Sequence, residues 1–492
     1  MRLTTSVQQA ARMEHGIVIV GTGPAGTAVA EDLYLHSGAL ITMLELGPAG
    51  LTTHFNNVLK NALRRKFIDH NKSTPWLGTM VGGMLVPGLG GRGTVAGANR
   101  PRFYQEDFVC FPGGEWPREV VDELSALFSK AELMQRVRIG DISCPAQEWT
   151  AMKLGRFCAT PPRIAVDKPS GDFSPSCGYD SPAERLMKLV ALDSISESPG
   201  RLRIVTDCYV TRIIHDGKRA TAVCCLDTTQ LGTRPTVLPL DHLVLAASPI
   251  ESARLVLNSG LAEGRPIVGR FLAEHVERRS KIRVRVPGRT SPNDGISLVI
   301  PPSGRASSER FQIHLRGEPD PSDARFLTVD VGAFAAMEPQ PDNMVTLALE
   351  RDGFGVRKAK TFLRASPGDE TRTRNMCVRI QEIVGELGGE YVTERFPLED
   401  TAPRYTDETR RIETMAPGRS YHEAGTLRIG TAPETSACDI VGRLWGMDNV
   451  YVGDASLFPC VGAANPILTL SALGYWVSKN ISSQVQQADV CA

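Results

Sequence analysis

Residues 16–45 read GIVIVGTGPAGTAVAEDLYLHSGALITMLE, and this stretch decides the fold of the N-terminal part of the chain. It opens with a continuous apolar, β-branched run, residues 17–20, which is typical of a strand buried in a parallel sheet. A glycine-rich turn follows at residues 21–26, and residues 27–35 then carry apolar side chains at helical spacing. A second apolar run ends in Glu45. The order of strand, turn, helix and strand predicts the first unit of a Rossmann-like α/β domain.

Each glycine of the turn has a geometric reason for its place. Gly21 permits the tight turn off the strand, Gly23 lets the backbone approach a pyrophosphate, and Gly26 lets the helix pack against the sheet. The start of the helix offers unpaired N–H groups and its dipole to the phosphates. We therefore assign Pro24 and Ala25, which lie within the turn, to the same binding site.

Glu45 supports a dinucleotide as the ligand of this turn. It lies 19 residues after Gly26, at the end of the second predicted strand. A carboxylate there can accept hydrogen bonds from both ribose hydroxyls, and it repels a 2′-phosphate, which disfavours NADP. The turn alone does not separate FAD from NAD. A tight glycine turn in an ordinary α/β fold is the simpler alternative.

Composition limits the classes of protein to be considered. The chain has 492 residues, 42% hydrophobic, with 55 basic and 55 acidic side chains. That length allows two or three domains, and a zero net charge gives no broad field to hold nucleic acid or an anionic membrane. The 11 cysteines are unpatterned, and the sequence has neither a long apolar span nor a secretory signal. We expect a cytoplasmic enzyme, with a transit peptide as the weaker alternative.

The middle of the chain predicts loops and a second sheet. Residues 81–97 are rich in glycine and predict a loop pressed against a ligand, with a flexible surface loop as the alternative. Residues 172–180 are polar and predict a loop or lid. Strands and helices over residues 181–257 return to the nucleotide domain, and we assign Val210 among them to the cofactor site. Residues 281–350 read as successive strands with turns, which predicts a separate antiparallel sheet.

Near the C-terminus, His422 lies in a glycine-bearing turn whose sequence is YHEAGTLRIG. No second histidine follows at the spacing of a zinc protease, so we predict no metal site. Glu423 and Arg428 are interpreted as solvated or structural.

Two further C-terminal segments predict the far side of the nucleotide site. A short apolar strand runs into Asp454 and Ala455, and a long apolar helix begins near Asn465, Pro466 and Ile467. A strand end and a helix start are places where a second phosphate or a flavin ring can be bound.

Together these segments resemble the glucose–methanol–choline (GMC) family of flavin oxidoreductases. The resemblance covers most of the chain and rests on the N-terminal turn, the glycine loop, GRFL at 269–272 before His275, GTLRIG at 425–430, GDAS at 453–456 and NPILT at 465–469. The segments GGRGTVA at 90–96 and RPRF at 100–103 are most similar to the pyranose-oxidase and C-glycoside-oxidase branch.

The resemblance implies FAD as the cofactor, with Gly91 and Val95 of the glycine loop beside it. Pyranose oxidases can carry the flavin on a histidine of this loop, and Val95 holds that place, so FAD is expected to be non-covalent. Gly97 stands where a threonine lies near the flavin N5, which leaves the use of oxygen open. The branch pairs a catalytic histidine with an asparagine, as His422 and Asn465 would be here.

The resemblance also implies a domain organisation. We expect a Rossmann-like FAD-binding domain at residues 15–280, including the glycine loop and the lid, and a mostly antiparallel-sheet substrate domain at residues 281–420. Residues 421–485 would return to the FAD-binding domain and carry the catalytic residues.

The implied reaction is oxidation of a CH–OH group of a sugar, glycoside, cyclitol or aminosugar to a carbonyl. The hydride would pass to the flavin N5, His422 would act as the base and Asn465 would orient the hydroxyl. Oxygen or another acceptor would re-oxidise the flavin, in a monomer or homo-oligomer. One alternative is a dehydrogenase of a non-sugar alcohol with a non-oxygen acceptor. Others are a non-catalytic flavin-binding protein and an FAD/NAD(P)H reductase, although no second G-x-G-x-x-G is present.

Overall fold

The computed structural model of the protein describes most of the chain. The described residues are 4–58, 75–109, 111–140, 144–167, 178–230, 232, 234–288, 290, 295–302, 307–392 and 411–491. Within these ranges no helix has the length and apolar character needed to cross a membrane.

The described chain alternates strands and helices in its first half and has longer strands in its second. The strands are β1 (Ile17–Val20), β2 (Ile41–Leu44), β3 (Leu77–Gly78), β4 (Arg138–Ile139), β5 (Arg163–Ile164), β6 (Val166–Asp167), β7 (Gly178–Tyr179), β8 (Leu202–Val205), β9 (Cys208–His215), β10 (Ala220–Asp227), β11 (Thr236–Pro239), β12 (His242–Leu245), β13 (His275–Arg285), β14 (Ile296–Ile300), β15 (Phe311–Pro319), β16 (Phe326–Ala336), β17 (Met344–Arg351), β18 (Arg357–Phe362), β19 (Glu390–Tyr391), β20 (Glu413–Thr414) and β21 (Val450–Val452). The α-helices are Val7–Ala10, Pro24–His36, Phe55–Val58, Arg118–Met134, Pro145–Lys153, Pro182–Ser194, Pro249–Asn258, Pro367–Leu387 and Ile467–Cys491.

A five-stranded parallel sheet forms the centre of the nucleotide-binding region. Its strand order is β21-β12-β1-β2-β8, and every pair is parallel. All four residues of β1 are buried, as expected for a strand with covered faces. The helices Pro24–His36 and Ile467–Cys491 pack together where Gly474 meets Ala28: a Cβ on Gly474 would lie 3.2 Å from the Ala28 Cβ. The predicted Rossmann-like α/β architecture is confirmed.

The second main sheet is antiparallel and has two different faces. Strands β14, β15, β16 and β13 pair in that order, and β19 and β20 both pair with β13. One face forms an apolar cluster with the helix Pro367–Leu387, through Ile282, Val284, Ile313, Leu315, Val329, Val331, Met376, Ile380 and Ile383. Because side chains alternate along a strand, Gln312, His314 and Arg316 of β15 lie on the opposite face.

The predicted grouping of residues 281–350 into one sheet is wrong for its last strand. β17 belongs to a separate three-stranded sheet, pairing antiparallel with β18, which in turn pairs parallel with β3. The sequence RKAKTF of β18 was not interpreted as a strand, so the partner of β17 was missed. Strand partners are set by contacts between distant segments, which a local pattern does not encode.

Two other predicted segments have mixed outcomes. β8 and β12 join the parallel sheet, whereas β9, β10 and β11 form an antiparallel sheet of their own. Of the predicted lid at 172–180, residues 172–177 lie outside the described residues, and β7 pairs antiparallel with β6.

Candidate active site

One cavity brings together segments that are far apart in the sequence. Its volume is about 490 Å³, within the range usual for ligand and cofactor sites. The predicted cofactor residues that line it are Gly21, Gly23, Pro24, Ala25, Glu45, Gly91, Val95, Val210, Asp454, Ala455, Asn465, Pro466 and Ile467, and His422 lines it as well. The glycine turn after β1 and the predicted catalytic pair therefore share one cavity.

Gly26 is the predicted cofactor residue that does not line the cavity. A Cβ on Gly26 would lie 2.1 Å from the Gly21 carbonyl oxygen, so this glycine allows the helix to pack against the turn. Gly21 has φ +107°, and a Cβ there would lie 2.3 Å from the Ala246 carbonyl oxygen. A Cβ on Gly23, in contrast, would meet no atom within 4 Å. Gly23 thus leaves open space in front of the helix start, where phosphate oxygens can reach N–H groups.

The glycine loop is pressed against the phosphate turn. Residues Gly91–Thr94 form a 3-10 turn, and a Cβ on Gly91 would lie 3.5 Å from the Gly23 Cα. The Gly90 N–H donates to Thr22 Oγ1 over 3.1 Å. The interpretation of this segment as a loop ordered against the site therefore fits better than a free surface loop.

Glu45 lines the cavity but is already engaged by protein donors. Its Oε2 accepts from the hydroxyl and the N–H of Thr22, at 2.5 and 3.3 Å. Its Oε1 accepts from the N–H groups of Gly47 and Gly88, at 3.1 and 2.9 Å. A carboxylate has about four acceptor positions, so a ribose hydroxyl would share or replace one of these bonds. Burial raises the pKa of Glu45.

Asp454 is engaged in the same way. Its Oδ2 accepts from Ser252 Oγ at 2.6 Å and from the Ser248 N–H at 3.1 Å, and its Oδ1 accepts from the Ser456 N–H at 2.9 Å. Ser248 has φ +88°, a conformation that is uncommon for a residue with a side chain. Asp454 therefore holds the strained turn that starts the helix Pro249–Asn258 at the cavity wall.

The predicted catalytic residues lie side by side. His422 Nε2 is 3.5 Å from Asn465 Nδ2, at the long limit for a hydrogen bond. Asn465 Oδ1 accepts from Gln312 Nε2 over 3.2 Å. His422 Nδ1 is 2.9 Å from Nδ1 of His275, which is 147 residues away in the chain.

This pair of histidines settles which ring nitrogen of His422 carries the proton. His275 Nε2 lies 2.9 Å from the carbonyl oxygen of Gly462, which only accepts, so His275 Nε2 carries a hydrogen. Burial lowers the pKa of His275 to about 4, and a neutral ring with Nε2–H has an acceptor at Nδ1. His422 Nδ1–H must therefore be the donor to His275. The lone pair of His422 is left on Nε2, beside Asn465.

The charge state of His422 also suits a base. Burial lowers its pKa well below that of an ordinary histidine, and the positive charge of neighbours such as Arg92 and Arg279 lowers it further. The imidazole is consequently neutral at physiological pH and can accept a proton at Nε2.

The turn that carries His422 is held by Arg92 and by the buried carboxyl group of Glu274. Arg92 of the glycine loop pairs with Glu423 over 2.6 Å and donates to the Tyr421 carbonyl over 3.3 Å. Glu274 accepts from the Tyr421 N–H at 3.1 Å and from Ser420 Oγ at 2.8 Å. Burial, with the nearby charge of Glu423, raises the pKa of Glu274 to about 8.

Glu423 and Arg428, which the sequence predicts to be either solvated or structural, are both structural. Glu423 is only 2% exposed, and its partner is Arg92. Arg428 is 7% exposed, donates to the carbonyls of Thr435 and Gly113, and stacks 3.4 Å from the centre of the Phe271 ring. The solvated interpretation is therefore wrong for both.

Sequence reasoning did not assign the polar face of β15 to the site. Gln312 contacts Asn465, His314 Nδ1 lies 3.0 Å from Asn99 Nδ2, and Arg316 and Asn99 line the cavity. The alternating polar residues in FQIHLR were a signal that could have identified this face, because period-two alternation places them on one side of a strand. No local signal marks His275 or Glu274, whose partners lie more than a hundred residues away.

Models of one protein family match two parts of the chain. The GMC oxidoreductase N-terminal model matches residues 184–277, and the GMC oxidoreductase C-terminal model matches residues 339–474. The chain therefore carries the N- and C-terminal domains of the GMC oxidoreductase family. Its C-terminal match contains both His422 and Asn465.

Curated relatives of this chain include enzymes named for sugar-like compounds. The C-glycoside 3-oxidase of Microbacterium trichothecenolyticum is 24% identical over 318 residues, covering 60% of this chain and 57% of the relative. The pyranose 2-oxidase of Tricholoma matsutake is 24% identical, covering 56% and 53%. The paromamine 6'-oxidase of Streptomyces fradiae is 27% identical, covering 51% and 47%. The matches to these three span about half the length of each relative.

The fold of the family is also found in a solved structure. The crystal structure of pyridoxine 4-oxidase from Mesorbium loti superposes with a TM-score of 0.66, covering 95% of this chain and 99% of that chain at 16% identity. At this identity the similarity describes the fold.

Proposed function

We propose that this GMC oxidoreductase oxidises a CH–OH group of a sugar, glycoside, cyclitol or aminosugar to a carbonyl, with FAD held non-covalently in the cavity. The observation that carries the proposal is the shared cavity. The phosphate turn at Gly21 and Gly23 lines it, and so do His422 and Asn465. The names of the curated relatives support the sugar-like class of substrate.

The residues present fit FAD. The open space at Gly23 faces the start of the helix Pro24–His36, where backbone N–H groups can bind the pyrophosphate. Val95, in the glycine loop, offers no nucleophile for a covalent bond. When bound, FAD would supply the acceptor for the hydride of the substrate C–H bond. A division near residue 280 into a cofactor-binding and a substrate-binding region is part of the same proposal.

The side chains divide the remaining work. His422 Nε2 would remove the hydroxyl proton, because its lone pair is free and the ring is neutral. Asn465 Nδ2 would donate to the same hydroxyl oxygen and fix its direction, while Gln312 holds the Asn465 amide in that orientation. His275 would keep the proton on His422 Nδ1.

The proposal is tested with the purified protein. We expect a visible flavin spectrum, release of all the yellow colour into the supernatant after acid precipitation, and anaerobic bleaching by at least one member of a panel of sugars and cyclitols. A colourless protein would remove the flavin assignment, and a flavin that none of the panel bleaches would remove the sugar-like substrate. Colour that stays with the precipitate would contradict non-covalent binding. Re-oxidation by oxygen or by a quinone then separates an oxidase from a dehydrogenase.

A further inference from the structure

The charged residues that line the cavity differ in whether they have partners. Those residues are Glu45, Arg92, Glu251, Arg254, Arg316, Glu423 and Asp454. Glu45 and Asp454 accept from several protein donors, Arg92 pairs with Glu423, and Arg254 pairs with Glu251 and Asp352. The side chain of Arg316 makes no hydrogen bond or ion pair with any residue in the part of the chain that the structure describes. It is the charge in the cavity wall that this part of the protein leaves unmatched.

Arg316 lies on the face of β15 that carries the polar contacts to the catalytic pair. Gln312, on the same face, touches Asn465. The rise along a strand places the Arg316 Cα roughly 14 Å from that of Gln312. A Cβ on Gly97, which also lines the cavity, would lie 3.4 Å from Arg316 Nη2, so the guanidinium lies beside the glycine loop. A substrate with its hydroxyl at His422 would therefore meet Arg316 at its other end.

The charged groups around Arg316 are of both signs. In the sheet register, Asp330 lies opposite Arg316 on one side and opposite Lys281 on the other, so this row carries two cations and one anion. In the next row Arg279 pairs with Glu277, and His314 is neutral because burial lowers its pKa to about 3. Glu318, two residues further along β15, adds another anion to this face, but none of these groups bonds to the Arg316 side chain within the described residues.

We propose that the compound oxidised at His422 carries an anionic group, a carboxylate or a phosphate, which Arg316 binds. A guanidinium presents a planar fork of N–H donors that matches both groups. This inference rests on the proposed function for the identity of the reacting hydroxyl, and it narrows the substrate class. Acidic sugars, glycosides with an acidic substituent and sugar phosphates fit the cavity best, whereas protonated amino sugars meet like charge.

Anion binding is tested without any turnover, by calorimetric titration of the FAD-containing protein. Cyclohexanecarboxylate and cyclohexanecarboxamide are matched ring compounds that have no hydroxyl to oxidise, and cyclohexyl phosphate is the phosphate counterpart. We expect the carboxylate or the phosphate to bind at least tenfold more tightly than the amide, and the tighter of the two identifies the preferred group. Arg316→Gln should abolish the difference, and Arg316→Lys should keep part of it. Lys281→Gln, a cation in the same row that does not line the cavity, should leave it unchanged.

Equal binding of the anions and the amide to the wild type would overturn the inference, as would a preference that survives in Arg316→Gln. Anaerobic flavin bleaching by a methyl glucoside, its glucuronic acid and its 6-phosphate separates this result from the proposed function. Selective anion binding without bleaching by any of the three would leave the anion site standing and contradict the proposed oxidation. Bleaching by the neutral glucoside without selective anion binding would support the proposed oxidation and contradict the anion site.

Discussion

Replacing His275 with phenylalanine keeps a ring in the site but removes two hydrogen bonds. The first is the bond from His422 Nδ1–H to His275 Nδ1, and the second is the bond from His275 Nε2–H to the Gly462 carbonyl, both 2.9 Å long. Without the first bond, the tautomer of His422 that carries its proton on Nδ1 is no longer favoured. The molecules whose proton lies on Nε2 cannot act as the base toward the cavity.

The size of the effect follows from the hydrogen bond. Leaving a buried N–H without its acceptor costs about 1–3 kcal/mol. At about 1.4 kcal/mol for each tenfold change in rate, flavin reduction by the substrate should slow by roughly 5- to 150-fold. The substrate dissociation constant should change little, because His275 does not line the cavity.

Stopped-flow flavin reduction under anaerobic conditions measures both quantities. His275→Gln is the matched control, because its amide can donate to Gly462 and accept from His422, and it should recover most of the rate. A purely structural role for His275 would lower the melting temperature of both variants without this difference in rate. Reduction by His275→Phe at the wild-type rate would refute the reasoning.

Three further predictions concern the cofactor turn, the buried ion pair and pH. Gly23→Ala should weaken FAD binding at least tenfold and leave the melting temperature of the apoprotein unchanged, because the added Cβ enters the open space where the cofactor is expected. Gly26→Ala should instead lower the free energy of unfolding by about 1–3 kcal/mol, because its Cβ would lie 2.1 Å from the Gly21 carbonyl oxygen. Equal effects of the two variants in the binding and melting assays would contradict this. Arg92→Gln should lower the free energy of unfolding by about 2–4 kcal/mol in denaturant titrations, because it leaves the Glu423 carboxylate buried without its partner. The double variant with Glu423→Gln should be more stable than Arg92→Gln alone, and an additive loss would argue against the pair. Because burial lowers the pKa of His422, the neutral base form persists as the pH falls. The rate of flavin reduction should therefore decline only at pH values below the ordinary histidine range. A decline within that range would argue against His422 as the base.

The parts of the site that follow from local sequence could be predicted. The turn at Gly21 and Gly23 needs only the strand before it and the helix after it, and the structure places both as expected. His422 and Asn465 were assigned through a family resemblance, and they do lie side by side. The role of Gly26 followed from the backbone geometry of the turn alone.

The remaining parts depend on contacts between distant segments. His275 and Glu274 acquire their partners only when the start of β13 meets the His422 turn. Glu423 was left open as solvated or structural because its partner, Arg92, is 331 residues away. The strand β17 has an ordinary alternating pattern, and its local sequence does not indicate that β18 is the strand with which it pairs.

The most direct test of the central claim is flavin reduction in His422→Ala. We predict that this variant binds FAD, keeps its yellow colour and is reduced by the substrate at least about a hundredfold more slowly than the wild type, since general-base assistance is worth about 10²- to 10⁴-fold. His36→Ala, a change of the same kind at an exposed position at the far end of the first helix of the parallel-sheet region, should be reduced at the wild-type rate. A near-normal rate in His422→Ala would contradict the assignment of His422 as the base.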